Sequence, residues 1–253
     1  MNIQLEHGSK SVNDYVTLIE CYPQSEFDSP YRSTVPFLCF WSNIGYQLNG
    51  LAQLLGIKPF SKVTACFEFG VDVQKGKGKP SQTDLMITSD DHAIAIEAKY
   101  TEPPYETVLT WMGNSSNRIR VLEGWLDLIS SSVCKNRINV EDIVVLPYQL
   151  VHRCASVCFP GVVYRTLIYQ CFDLDEEKAL YYRSQLETLI RVLKKPEKLH
   201  FFLVNIPLLK SPAYTQLQAR WDSGERIMHA DVIRGMKTNE FLAFGKPMVI
   251  SIE

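Results

Sequence analysis

Two short apolar runs around a polar turn limit this chain's folding choices more than any other feature. Thr83 to Thr88 reads Thr-Asp-Leu-Met-Ile-Thr, and Ala93 to Tyr100 reads Ala-Ile-Ala-Ile-Glu-Ala-Lys-Tyr, with Ser89-Asp90-Asp91-His92 between them. Such runs, bounded by turn residues, are expected to form a β-hairpin. The charged residues within them are Asp84, Glu97 and Lys99. Side chains alternate faces along a strand, so Glu97 and Lys99 share one face and Ile94, Ile96 and Ala98 the other, which is expected to be the packed side. If the four-residue turn pairs Thr88 with Ala93, the same register sets Asp84 opposite Glu97, with Cβ atoms roughly 4.5–5.5 Å apart. Two carboxylates that close repel, and one pKa rises unless a cation lies between them. A hard divalent cation is the natural occupant, and Mg²⁺ commonly takes one or two carboxylates plus waters and phosphate oxygens. Lys99 lies beside that position, placed to orient or help deprotonate a water, or to stabilise charge on a phosphate.

The remaining pattern is that of an α/β protein. Apolar residues recur at helical spacing from Phe37 to Leu55, with Ser33 or Thr34 as cap, Pro36 in the first turn and Gly56 at the end. Strand character runs from Val63 to Val73, followed by the basic, glycine-rich loop Gln74–Pro80 and then the hairpin. Helical spacing resumes near Tyr105–Trp111 and over Asn117–Ile129. A fourth strand is expected over Asp142–Pro147, a helix over Tyr148–Cys158 and a strand over Val162–Phe172. A long amphipathic helix follows from Asp173 to about Lys195, its charge order matching the helix dipole, then strands over His200–Ile206 and Met248–Ile252. Asn2–Pro36, with three prolines, reads as turns with at most short helices. Alternating elements without a linker predict one domain over 1–253, with elaborations at 1–36 and 211–253.

The hairpin motif resembles the PD-(D/E)XK nuclease superfamily, the restriction-endonuclease-like enzymes. Their motif is an Asp on one strand of a hairpin and (Asp/Glu)-x-Lys on the next, here Asp84 and Glu97-Ala98-Lys99. The resemblance covers Phe67 to Tyr100 by motif and an α-β-β-β-α-β core by element order. Thr83 stands where the family usually has Pro. The resemblance implies a mixed central sheet flanked by helices, Mg²⁺ dependence with Mn²⁺ as substitute, and phosphodiester hydrolysis, with DNA the expected substrate. It makes Asp84, Glu97 and the Ala98 carbonyl metal ligands and Lys99 the catalytic lysine. Some members carry an earlier acid, for which Glu68 is the candidate. Others carry a Gln on the helix after the fourth strand, a placement Gln149 matches. Many members cut as dimers, so a homodimer is a further expected partner. The rival reading is a catalytically inactive nucleic-acid-binding or assembly module that keeps the fold.

Lys75, Lys77 and Lys79 in the glycine-rich loop read as backbone contacts to nucleic acid or as a solvated loop tip, since the spacing is not that of a Walker A motif. Arg118, Arg120 and Arg153 are candidate phosphate contacts, the rival for Arg153 and its neighbour His152 being an ordinary polar helix face. A net charge of −2 excludes binding through overall basicity. With 46% hydrophobic and 21% charged residues, the chain is neither disordered, collagen-like nor a membrane bundle. Met1–Lys10 lacks an apolar h-region, so no secretory signal is expected and the cytoplasm is the expected compartment. The seven cysteines fit buried thiols there, with Cys154, Cys158 and Cys171 the one grouping that a metal or cluster could use. Trp111, Trp125 and Trp221 are expected in the core.

Overall fold

The structure, a computed structural model, describes residues 1–194 and 196–252. The N-terminal segment, expected to be turns, is partly strand: β1 spans Asn2–His7 and β2 spans Lys10–Val12. Only Ile3 and Leu5 alternate there, too short a signal to read locally. The strand is fixed by parallel pairing with β3 (Lys62–Val71), more than fifty residues away in sequence. Helix α1 (Tyr15–Cys21) follows, its cap Asp14 accepting from Thr17 N at 2.7 Å, and a 3-10 turn covers Gln24–Phe27.

The helical run expected from Phe37 to Leu55 is two helices, α2 (Thr34–Trp41) and α3 (Ile44–Leu55). Asn43 makes the break: its side chain accepts from Tyr46 N at 3.2 Å and caps a new helix. Gly56 ends α3 in the left-handed region, at φ +64°. Then come β3, β4 (Ser81–Thr88) and β5 (His92–Lys99), an antiparallel meander. Helices α4 (Val108–Met112) and α5 (Ser116–Val133) follow. The strand expected over 142–147 is absent. Val140–Asp142 is a 3-10 turn, and the next carbonyls cap a helix instead of joining a ladder: Val144 O and Leu146 O accept from Leu109 N and Val108 N at 3.0 and 2.8 Å.

Helix α6 (Tyr148–Cys158) leads to β6 (Tyr164–Phe172), α7 (Glu176–Leu193) and β7 (Leu199–Ile206). The α7 cap is Asp175, two residues after the expected start, and Lys194 closes the helix at φ +57°. Lys195, expected in its last turn, and Glu253 lie outside the described residues. The chain continues through β8 (Leu208–Lys210), α8 (Pro212–Asp222), α9 (His229–Lys237), β9 (Leu242–Phe244) and β10 (Met248–Ile252).

Eight strands form one mixed sheet in the order β10-β7-β6-β5-β4-β3-β1-β2, with β5, β6 and β7 parallel, while β8 and β9 pair separately. The order α3-β3-β4-β5-α6-β6 supplies an α-β-β-β-α-β core. Two apolar clusters cover the two faces. Leu38, Leu48, Leu85, Ile94 and Phe172 lie in one, with residues of α1–α3, α8 and α9. Met86, Ala95, Trp125, Leu150 and Leu186 lie in the other, with residues of α4–α7. β5 was expected to pack only through Ile94, Ile96 and Ala98. Instead both faces are covered, so Glu97 and Lys99 are interior, at 2% and 3% exposed. Cys154, Cys158 and Cys171 are buried free thiols. Trp125 is core, Trp111 half-buried, and Trp221 is on the surface of α8, against expectation. Among the described residues no helix is long and apolar enough to cross a membrane.

Candidate active site at a break in the sheet

The β4–β5 ladder runs in the expected register from Thr88↔Ala93 to Leu85↔Ile96, and stops there. One position further, where Asp84 would oppose Glu97, a side chain replaces the ladder: Ala98 N donates to Asp84 Oδ2 at 2.6 Å. The β3–β4 ladder is interrupted on the same row. Phe67 pairs with Leu85 and Phe69 with Thr83, while Glu68, between them, is left out. Glu68 adopts φ +52°, a left-handed conformation that costs a non-glycine residue about 1–3 kcal/mol. Glu68 on β3, Asp84 on β4 and Glu97 on β5 thus occupy one row across three strands, and all three line a cavity of about 610 Å³.

The cations of this site converge on Glu97. Lys99 Nζ donates to Glu97 Oε1 at 2.7 Å and to Gln149 Oε1 at 2.7 Å, and lies 4.5 Å from the centre of the Tyr105 ring. Arg153 Nε donates to Glu97 Oε2, and its Nη1 reaches Ser81 Oγ at 3.2 Å. Burial works to raise the Glu97 pKa, but the charges of Arg153 and Lys99 outweigh it and hold the group below its ordinary range. Burial likewise works against the Lys99 ammonium, and Glu97 ahead of Tyr105 and Asp84 reverses the balance, so Lys99 stays protonated. Asp84 is pushed well above its usual range, by its enclosure first and by Glu97 second. Glu68 is pushed up to about 7, by burial first, with Arg153 pulling the other way. His152 touches Ser81 Oγ through Nδ1, and burial, then Arg153 and Lys99, keep it neutral.

The basic loop is seated rather than free. Asn117 on α5 accepts from Lys77 N at 2.8 Å and donates to Lys77 O at 2.7 Å. Gly76 takes φ +78° there, and Gly124 lets the loop close in, since a Cβ at 124 would stand 2.8 Å from Lys75 N. Lys75 pairs with Asp127 on α5. Lys77, Lys79 and Arg118 line a second cavity of about 680 Å³, which shares Gln82, Tyr105, Gln149 and Arg153 with the first. Arg118 lies 5.5 Å over Trp111, whose other neighbour is the Tyr148 ring, parallel at 3.5 Å. Arg120 is exposed on α5. Arg153 faces inward at 6% exposed and belongs to the Glu97 ion cluster. The helix of Gln149, α6, lies between the third and fourth strands of the core instead of after the fourth.

Several cavity residues were not legible in the sequence. Glu102 accepts from Ser33 N at 2.7 Å and from Tyr100 N at 2.8 Å, tying the start of α2 to the end of β5. Glu26 accepts from Thr34 Oγ1 at 2.9 Å and pairs with Arg32. Tyr22, Glu26 and Arg32 come from the N-terminal segment, where no periodicity marks them. Among the described residues, no three His, Cys, Asp or Glu side chains are already gathered as a metal cage. The donor chemistry nevertheless suits a hard cation. Glu26 pairs with Arg32, Glu97 pairs with both Lys99 and Arg153, and Glu102 is held by backbone N–H groups. Asp84 and Glu68 are left as carboxylates without a salt bridge among the described residues.

No curated protein and no solved structure matches the chain. A family model described as Domain of unknown function (DUF6946) matches residues 9–207. That span runs from the β1–β2 turn through the end of β7 and includes the whole Glu68–Asp84–Glu97 row, and the chain belongs to this DUF6946 family.

Proposed function

We propose that this chain is a Mg²⁺-dependent nuclease of the restriction-endonuclease-like kind, hydrolysing phosphodiester bonds, with DNA as its substrate. The observation that supports it most is the interruption of two adjacent ladders on one row, which turns Glu68, Asp84 and Glu97 toward one cavity beside a buried, protonated lysine. Backbone strain and lost ladder bonds are costs that a purely structural hairpin has no reason to carry.

On this reading Asp84, Glu97 and the Ala98 carbonyl would hold the Mg²⁺, with Glu68 as a further carboxylate on the same row, and Mn²⁺ would substitute. The ion supplies Lewis acidity toward a phosphate oxygen and lowers the pKa of a bound water. Lys99 acts as a fixed positive donor. Its proton is held by Glu97 and Gln149, so it stabilises negative charge developing on the phosphate rather than serving as the base. Gln149 fixes the ammonium's direction, and Arg153 keeps Glu97 ionised. Lys77, Lys79 and Arg118, in the adjoining cavity, meet the nucleic-acid backbone.

The test is cleavage of a panel of DNA and RNA forms with Mg²⁺ or Mn²⁺, paired with calorimetric metal titration. Wild type should cleave, Asp84→Ala should lose metal binding and activity, and Lys99→Met should lose about 10²–10³-fold in rate with its fold intact. Wild type that neither binds metal, with or without DNA, nor cleaves any substrate would sink the proposal. One observation favours the second reading, an inactive nucleic-acid-binding module: both Glu97 oxygens are occupied by cations. That reading predicts salt-sensitive DNA binding that Mg²⁺ does not change.

A further inference from the structure

Two buried polar atoms on the wall of the carboxylate cavity have no hydrogen-bond partner among the described residues: the Tyr22 hydroxyl and His7 Nε2. Both residues come from the N-terminal limb, His7 at the end of β1 and Tyr22 just beyond α1. Their rings meet edge-on, with centroids 4.7 Å apart, and Phe27 packs against Tyr22 from another side at 6.4 Å. Tyr22 is only 6% exposed, so its ring is held in place. Leaving a buried hydroxyl unpaired costs about 1–3 kcal/mol, and folded chains rarely carry such an atom without a use for it. The chemistry around this hydroxyl is specific. Tyr22 lines the same cavity as Glu26, Glu68 and Asp84, and a buried phenol is an O–H donor at neutral pH. A neutral phenol oxygen is a poor ligand for a hard cation beside carboxylates, whereas its O–H is a good donor. That donor suits an oxygen that arrives with the cation.

We infer that Tyr22 is a ligand-binding residue of this site, its hydroxyl donating a hydrogen bond to an oxygen that accompanies the divalent cation, either a metal-bound water or a phosphate oxygen of the substrate. The inference rests on the metal-dependent reading above and deepens it. It gives the N-terminal limb a role in function, because the β1–β3 pairing and the α1 cap carry Tyr22 to the cavity. It also sets the polarity of the site, with cationic donors around Glu97 and a neutral donor beside Glu68 and Asp84.

The experiment uses the full chain, its Tyr22→Phe and Asp84→Ala variants, and two probes, Mn²⁺ alone and Mn²⁺ with thymidine 5′-phosphate. Tyr22→Phe removes one oxygen and should weaken binding by about tenfold, the size of one hydrogen bond to a charged or polarised partner. A loss with Mn²⁺ alone identifies a bound water, and a loss only with the nucleotide identifies a phosphate oxygen. In wild type with ¹³C-labelled tyrosines, Mn²⁺ should broaden the Tyr22 ring signals, a test that the ion sits near Tyr22 even if Tyr22→Phe folds poorly. Unchanged affinity for both probes in Tyr22→Phe, with Asp84→Ala abolishing binding, would overturn the role of Tyr22 and leave the nuclease reading standing. So would Tyr22 signals that Mn²⁺ binding leaves sharp. Wild type that binds neither probe would overturn both.

Discussion

Arg153 on α6 donates through Nε to Oε2 of Glu97 on β5, and both side chains are buried. The pair joins the sheet to the helix layer that covers it, and Lys99 completes the cluster on the other oxygen. Removing Arg153 leaves one buried Glu97 oxygen without a partner while Lys99 still holds the other, so Arg153→Met should destabilise the fold by about 1–3 kcal/mol. Combining it with Glu97→Gln should cost less than the two single changes together, by about 0.5–3 kcal/mol. Urea unfolding of the four proteins measures this, and strict additivity would show that the two groups are not coupled.

Glu68 makes the site sensitive to pH. Its carboxyl is pushed up to about 7, chiefly by burial. Below that value it is protonated and cannot serve a cation. Mg²⁺ affinity should therefore fall as pH drops through 7, with Asp84, whose ionisation is also opposed, adding to the dependence. Glu68→Gln should lower affinity and leave only the part of the pH dependence that Asp84 contributes. The stability sign is opposite to that of an ordinary paired acid. The native state holds this proton more tightly than the unfolded chain, so the contribution is full below pH 4.5 and is lost as pH rises toward 7. Mg²⁺ titrations and thermal melts across this window check both statements.

Burial and Glu97 both oppose ionisation of the Asp84 carboxyl. Asp84→Asn keeps an acceptor for Ala98 N and removes the charge. The metal-free variant should melt at a higher temperature than metal-free wild type at pH 7.5, a gain of about 1–2 kcal/mol, the usual scale for relieving a strained functional group. Added Mg²⁺ should raise the melting temperature of wild type and leave the variant unmoved. A variant that melts lower would mean that the Asp84 charge stabilises the fold.

Lys77 and Lys79 are exposed on the wall of the second cavity, while Lys75 is engaged with Asp127. Replacing Lys77 and Lys79 by alanine should weaken duplex DNA binding and lower the slope of log K against log salt by about 1.8, or 0.9 per phosphate contact. Lys75→Ala should leave that slope unchanged. Fluorescence anisotropy at several salt concentrations distinguishes these outcomes. A double variant with an unchanged slope would remove this loop from the interface.

The sequence by itself determined the hairpin, its register from Thr88↔Ala93 to Leu85↔Ile96 and the shared face of Glu97 and Lys99, because turn length and two-residue alternation are local properties. It also determined α6, with Gln149 in its first turn, and the body of the amphipathic α7, whose periodicity lies within a single element. Tertiary structure decided what depends on distant partners. β1 is a strand because β3 lies beside it. Residues 142–147, strand-like in composition, cap α4 instead, because Val108 and Leu109 offer free N–H groups there. Asn43 splits a helix that apolar spacing alone would continue, since a capping side chain outweighs periodicity. Above all, the left-handed turn at Glu68, the Asp84–Ala98 bond and the arrival of Arg153 at Glu97 depend on how the layers meet. Each carries a local cost that only packing from outside its own element can offset, so none leaves a periodic trace in the chain.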